Sequence, residues 1–184
     1  MRHYLPSFAL ALLASSAACP SSTPDPVGPT PDPQPATGEP TSAGVVDGEI
    51  VLSRPIEFVP GTDDLAASSD EILAPVLGLL SDRADLTLVR IEGHLGEEIG
   101  EADEIGTSGE RAFAVARWLR DHGVACERLL AAAFGTSKPI AANDTAEGRA
   151  ANTRVTLHIA TLRGIAIGGM PVDGSAAASA DPCP

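Results

Sequence analysis

The run LTLVRIEGHLGEEIGEADEIGTSGERAFAVARW, residues 86–118, decides the fold. It opens with an apolar strand, Leu86-Thr87-Leu88-Val89-Arg90-Ile91, turns at Gly93-His94, crosses an acidic loop and enters a helix at Thr107. Thr107 and Glu110 have capping-box spacing, in which hydroxyl and carboxylate each satisfy a free backbone N–H. Ala112, Val115, Ala116 and Leu119 then draw one apolar stripe, and Gly123 supplies a left-handed C-terminal cap. This reading puts Arg111 in the first turn, where a cation opposes the helix dipole. Two readings stay open. Arg111 pairs with Asp103 or Glu104 on a solvated face, or it joins free N–H groups in holding a carboxylate or phosphate.

On the N-terminal side, Ile50, Leu52, Ile56 and Phe58 keep period-two spacing, which predicts a strand over 48–59, interrupted at Pro55. Ser68 and Glu71 form a second capping pattern ahead of Ile72, Leu73, Val76, Leu77 and Leu80. Pro75 inside that helix should kink it or delay its start. On the C-terminal side, Leu129 to Phe134 reads as a short strand. Val155, Leu157 and Ile159 alternate with Arg154, Thr156 and His158 in a last one. The order β-α-β-α-β-β implies an α+β fold, a two-layer sandwich of one mixed sheet with helices packed on one face.

Composition narrows the function. The formal net charge is −13 and no basic stripe or aromatic stacking platform is present, which argues against a nucleic-acid partner. Aromatics make up only 3% of the chain, so the core rests on Leu, Ile, Val and Ala. His94 is expected to hydrogen-bond backbone locally, and His122 and His158 have no partner at metal-ligand spacing. No nucleophile elbow, phosphate loop or carboxylate pair occurs. The sequence therefore reads as a non-enzyme without cofactor or metal. Asn143-Asp144-Thr145 is a formal glycosylation sequon without meaning in a bacterium.

Residues 1–18 have the form of a signal peptide: Arg2 and His3, an apolar run from Leu5 to Leu13, then small residues. Cys19 follows directly and resembles the lipidated cysteine of a bacterial lipobox, although Ser16 stands where such boxes usually carry Leu. Residues 19–44 are then a lipidated cysteine and a Pro-rich flexible linker, which cannot bury enough apolar surface to fold. Residues 45–163 form the folded domain, and 164–184 a flexible Gly/Ala-rich tail. In an exported protein Cys126 and Cys183 meet an oxidising compartment. They either form a bridge, which by chain-entropy reasoning contributes roughly 4 kcal/mol, or remain unrelated thiols with Cys126 a small buried hydrophobe.

Five pieces in register, covering about Ile50 to Ala160, resemble the OmpA-like C-terminal domain. They are Ile56-Glu57-Phe58, Ile91-Glu92-Gly93-His94, Ser108-Gly109-Glu110-Arg111-Ala112, Pro139-Ile140 with Asn143, and Gly148-Arg149 with Asn152-Thr153-Arg154-Val155. With the signal, lipobox and linker, the architecture resembles a peptidoglycan-associated lipoprotein. The resemblance implies a peptidoglycan partner held through the diaminopimelate of its stem peptide, whose end carries an ammonium and a carboxylate. By the same resemblance Arg111 grips the carboxylate and Arg154 is a second basic position. Gly96 stands where the family has the ammonium-binding aspartate, Glu104 where it has an asparagine, and Thr153 where it has the first arginine of its closing motif. Glu97, Glu98 or Glu104 is the expected substitute acid; a site lost altogether is the other reading. The lipid anchor further implies a membrane partner, and Pro20 rather than Asp after Cys19 points by resemblance to the outer membrane, with the periplasmic side expected.

Overall fold

The structure is a computed structural model, and it describes residues 43–97, 104–167, 179–180 and 183, all within the unit Gly38–Pro184. The proposed signal peptide, Cys19, the Pro-rich linker, Glu98 and Asp103 lie outside the described residues. Among the described residues no helix is long and apolar enough to cross a membrane.

The chain begins with a hairpin of β1 (Gly44–Val46) and β2 (Glu49–Val51). Asp47 and Gly48 both take positive φ at its turn, the backbone that a tight two-residue hairpin demands. Helix α1 (Ser69–Asp82) leads to β3 (Leu86–His94), α2 (Glu104–Asp121) and β4 (Leu129–Gly135), with a 3-10 turn at Cys126–Arg128. A short α3 (Ala146–Asn152) precedes β5 (Arg154–Leu162), followed by β6 (Ile165–Ala166) and β7 (Ser179–Ala180). The sheet order is β1-β2-β5-β3-β4-β7, with β6 on β5. Among the described residues only β3 and β4 pair in parallel, and α2 supplies the crossover that a parallel pair requires. This is the mixed sheet of the α+β class, and α3 is an addition to the expected order.

Val89 and Ile91 of β3, Ala131 of β4 and Val155, Leu157 and Ile159 of β5 face one side. There they meet Ile72, Leu73, Val76 and Leu80 of α1 and Ala112, Val115, Ala116 and Leu119 of α2. Side chains alternate across a strand, so the intervening residues must face the other way. That puts Arg90, Glu92 and His94 of β3, and Arg154, Thr156 and His158 of β5, on the outer side of the sheet. Registers place Glu92 opposite Thr156 and His94 opposite Arg154.

Several local expectations are corrected. Helix α2 starts at Glu104, so Thr107 lies inside it and the Thr107–Glu110 capping box does not exist. Ser68 does precede α1 but does not cap it; its hydroxyl donates to Glu57 Oε2 at 2.6 Å, and Glu71 pairs with Arg54 instead. Helix α1 runs through Pro75. The strand expected over 48–59 shrinks to β2 and a single bridge between Phe58 and Leu65. Buried Ser69 holds the segment between, its hydroxyl donating to Glu57 O and accepting from Glu57 N–H.

Gly93 is not a turn. It lies within β3, where a Cβ would overlap the carbonyl of Ser108 on α2, so glycine allows strand and helix backbones to touch. The tail is not free of the fold either. Cys126 and Cys183 form a disulfide spanning 57 residues, and Ala131 and Ala132 of β4 pair with Ala180 and Ser179 of β7.

Candidate functional site

Arg111 sits about two turns into α2, too far from the helix start for the dipole to bear on it. The dipole reasoning from sequence therefore fails, although the residue has charged company. Its Nε donates to Asp63 Oδ1 at 3.2 Å, and its guanidinium lies 5.3 Å from the ring centroid of Phe58. Asp63 comes from a loop folded on itself: Val59 N–H donates to Asp64 O, and Thr62 N–H and hydroxyl both donate to Val59 O. The side chains of Arg111 and Asp63 are 21% and 37% exposed, so the pair is open to water and to ligand. Such a pair contributes at most about 1 kcal/mol. Sequence reasoning looked for the partner acid at Asp103 or Glu104, and Asp63, distant in sequence, was missed.

Gly96 is held at the other end of β3. Its N–H donates to Thr153 Oγ1 at 2.9 Å, and that hydroxyl donates in turn to Arg149 O at 3.0 Å. A Cβ on Gly96 would lie 2.7 Å from Arg149 Cα, against backbone in the middle of α3. An aspartate therefore has no room here unless α3 moves. Gly96 and Thr153, two departures from the family pattern, are hydrogen-bonded neighbours; the hydroxyl fills the place against the glycine. Asn152, fully buried, fastens the surrounding loop by accepting from Ile140 N–H and Ala141 N–H and donating to Ala141 O. Glu97 N–H donates to Asn143 Oδ1, and Glu104 Oε2 accepts from the Thr136 hydroxyl at 2.7 Å. Glu104 is thus tied to the end of β4 rather than turned toward Arg111.

Arg154 does not join Arg111. It stands on the outer side of the sheet, where its Nη1 donates to Asn152 O and its Nη2 to Lys138 O. Around it lies a polar field that sequence reading did not identify. Arg90 and Glu92 form a salt bridge at 2% and 3% side-chain exposure, with Arg90 Nε donating to Glu92 Oε1 at 2.8 Å. Lys138 Nζ reaches Glu92 Oε2 at 3.2 Å and lies 3.5 Å from the centroid of the Phe134 ring. His94 stacks on the same ring, with Nε2 3.5 Å from Glu92 Oε2 and 3.4 Å from the Thr156 hydroxyl. The expected local backbone bond is absent, and Nδ1 of His94 is buried without a partner. Burial alone would raise the Glu92 carboxyl, but hydrogen bonds from His94 and Arg90 outweigh it and bring it down to about 2. Burial lowers the His158 imidazole and the Arg154 guanidinium; Glu92 and Glu49 pull both the other way. The signal was present in the sequence, since Arg90, Glu92 and His94 alternate strictly with Ile91 and Gly93. Among the described residues no cluster of His, Cys, Asp or Glu is placed to hold a metal ion.

Residues 57–153, just over half of the chain, match the sequence profile of the OmpA family. The peptidoglycan-binding protein ArfA of Mycobacterium tuberculosis is 35% identical over 109 residues, covering 59% of this chain and 33% of that protein. The outer-membrane lipoprotein YfiB of Pseudomonas aeruginosa is 31% identical over 111 residues, 60% of this chain and 66% of that protein. The chain thus spans about a third of the first relative's length and just under two thirds of the second's. The crystal structure of a putative MotB-like protein from Desulfovibrio vulgaris superposes with a TM-score of 0.51 at 28% identity, covering 56% of this chain and 68% of that one.

Proposed function

The chain belongs to the OmpA family, and from that premise we propose that its folded domain binds peptidoglycan non-covalently. The ligand is the zwitterionic end of a diaminopimelate stem peptide. Arg111 takes its carboxylate and Asp63 takes its ammonium. The observation that carries this reading is the Arg111–Asp63 pair itself: two opposite charges side by side, partly exposed, joined by one 3.2 Å contact. A contact worth at most about 1 kcal/mol yields readily to a ligand that satisfies both charges. Asp63 thereby does the work that Gly96 cannot do, and Glu104 is left in its hydrogen bond to Thr136.

The rest of the architecture fits a tether. Cys19, lipidated, anchors the protein in the outer membrane, residues 20–44 span outward on the periplasmic side, and the domain holds the wall. The names of the relatives, one peptidoglycan-binding and one an outer-membrane lipoprotein, support both halves. The protein works by binding and not by catalysis.

Sedimentation of the full chain with purified diaminopimelate-type sacculi tests the reading. Wild type should co-sediment and Arg111→Glu should not. One observation favours a second reading, an envelope scaffold without wall affinity: Gly96 is pressed onto Arg149, which closes the family's usual acid position. Wild type remaining in the supernatant would establish that second reading.

A further inference from the structure

The outer side of the sheet holds a cavity of about 370 Å³, separate from the Arg111–Asp63 pair. It is lined by Arg154, Thr156 and His158 of β5, Glu92 and His94 of β3, Glu49 of β2, and Lys138 and Ile140. That volume lies in the range of small-molecule sites. Two residues in it have unmet chemistry. Arg154 is held by two neutral carbonyls, Asn152 O and Lys138 O, and among the described residues no carboxylate lies within ion-pair distance of it. His94, 2% exposed, carries a buried Nδ1 with no partner.

The charges nearby determine what such a cavity can take. Glu92 is already answered by Arg90, Lys138 and His94. Glu49, opposite His158 in the register, lines the same cavity and its charge acts on Arg154 from there. Lys138, with 47% of its side chain exposed, brings a second cation to the rim. Arg90, Lys138 and Arg154 together thus outnumber Glu92 and Glu49 by one charge, and the Arg154 guanidinium presents a planar fork suited to two oxygens.

We propose that this cavity is a second binding site, taking a small carboxylate or phosphate group on the Arg154 guanidinium with the Lys138 ammonium and the Thr156 hydroxyl beside it. The site is independent of the wall-binding reading, because Arg111 has no part in it.

The test is a resonance titration of the isotopically labelled full chain at constant ionic strength, with inorganic phosphate in one arm and acetate in the other. Saturable shifts of Thr156 and His158 are expected in at least one arm. Saturation by phosphate alone identifies a phosphate-bearing ligand, and by acetate alone a carboxylate. Arg154→Gln should weaken the response at least tenfold, and Lys138→Met several-fold, while Arg111→Gln leaves it unchanged. Shifts that stay linear in both arms overturn the proposal. So does an affinity untouched in Arg154→Gln, or in Lys138→Met should Arg154→Gln fail to fold.

Discussion

Two ion pairs on opposite sides of one sheet are built from the same groups and serve different ends. Arg90 and Glu92 are almost wholly shielded from water, bonded at short range and packed under Phe134. Arg111 and Asp63 meet at one contact with 21% and 37% of their side chains exposed. Burial decides the difference. A shielded charge must keep its partner because water cannot replace it, whereas an exposed one can exchange its partner for a ligand. The first pair is thus a structural element of β3, and the second is the one proposed to exchange partners with a ligand.

The sharpest way to break this comparison is to strip the shielded pair. Glu92→Ala leaves Arg90 buried and should cost about 3–5 kcal/mol in urea unfolding; a loss below about 1 kcal/mol would put the two pairs on the same footing. Acid titration checks the same claim. The Glu92 carboxyl falls from an ordinary 4.5 to about 2 in the fold. Its contribution is therefore full above about pH 4.5 and is lost as pH drops toward 2. Glu92→Gln should flatten the stability profile across that window.

Next in size is the tail. Cys126→Ser opens the 57-residue loop and frees β7 from one of its two attachments. A loss of about 2–4 kcal/mol is expected by thermal or urea unfolding. Gly96→Ala should cost about 1–3 kcal/mol, since its methyl group presses on the α3 backbone. Smallest is Arg111→Ala, expected to cost under about 1 kcal/mol of stability while abolishing co-sedimentation with sacculi. A large stability loss there would make Arg111 a structural residue and erase the contrast.

The sheet and its two long helices were legible in the sequence because apolar spacing is a local signal: Val89 and Ile91, Val155 to Ile159, and the stripe from Ala112 to Leu119 all face the core. Helix starts were less legible. Capping patterns at Ser68 and Thr107 are satisfied by other chemistry, one hydroxyl donating to Glu57 and the other residue lying inside a longer helix. Helix α3 escaped notice because seven residues draw no stripe, although Thr145 caps it by accepting from Gly148 N–H. At the site, Arg111 was recognised and its company was not. Asp63 lies 48 residues away, and only the folded loop brings it near. Arg154 was grouped with Arg111 by resemblance, yet alternation along β5 already placed it opposite Val155 and so across the sheet. The Asp47-Gly48 hairpin was also readable, yet the expected strand was begun at Gly48, on the turn itself.

The account depends most on Asp63 acting as the acid for a ligand ammonium. Calorimetric titration of the full chain with a diaminopimelate-ended stem peptide, against the same peptide acetylated on that amine, measures it directly. Wild type should prefer the free amine by about tenfold, near 1.4 kcal/mol, and Asp63→Asn should lose that preference while still binding through Arg111. Equal affinity of wild type for the two peptides, or a preference that survives in Asp63→Asn, would contradict it.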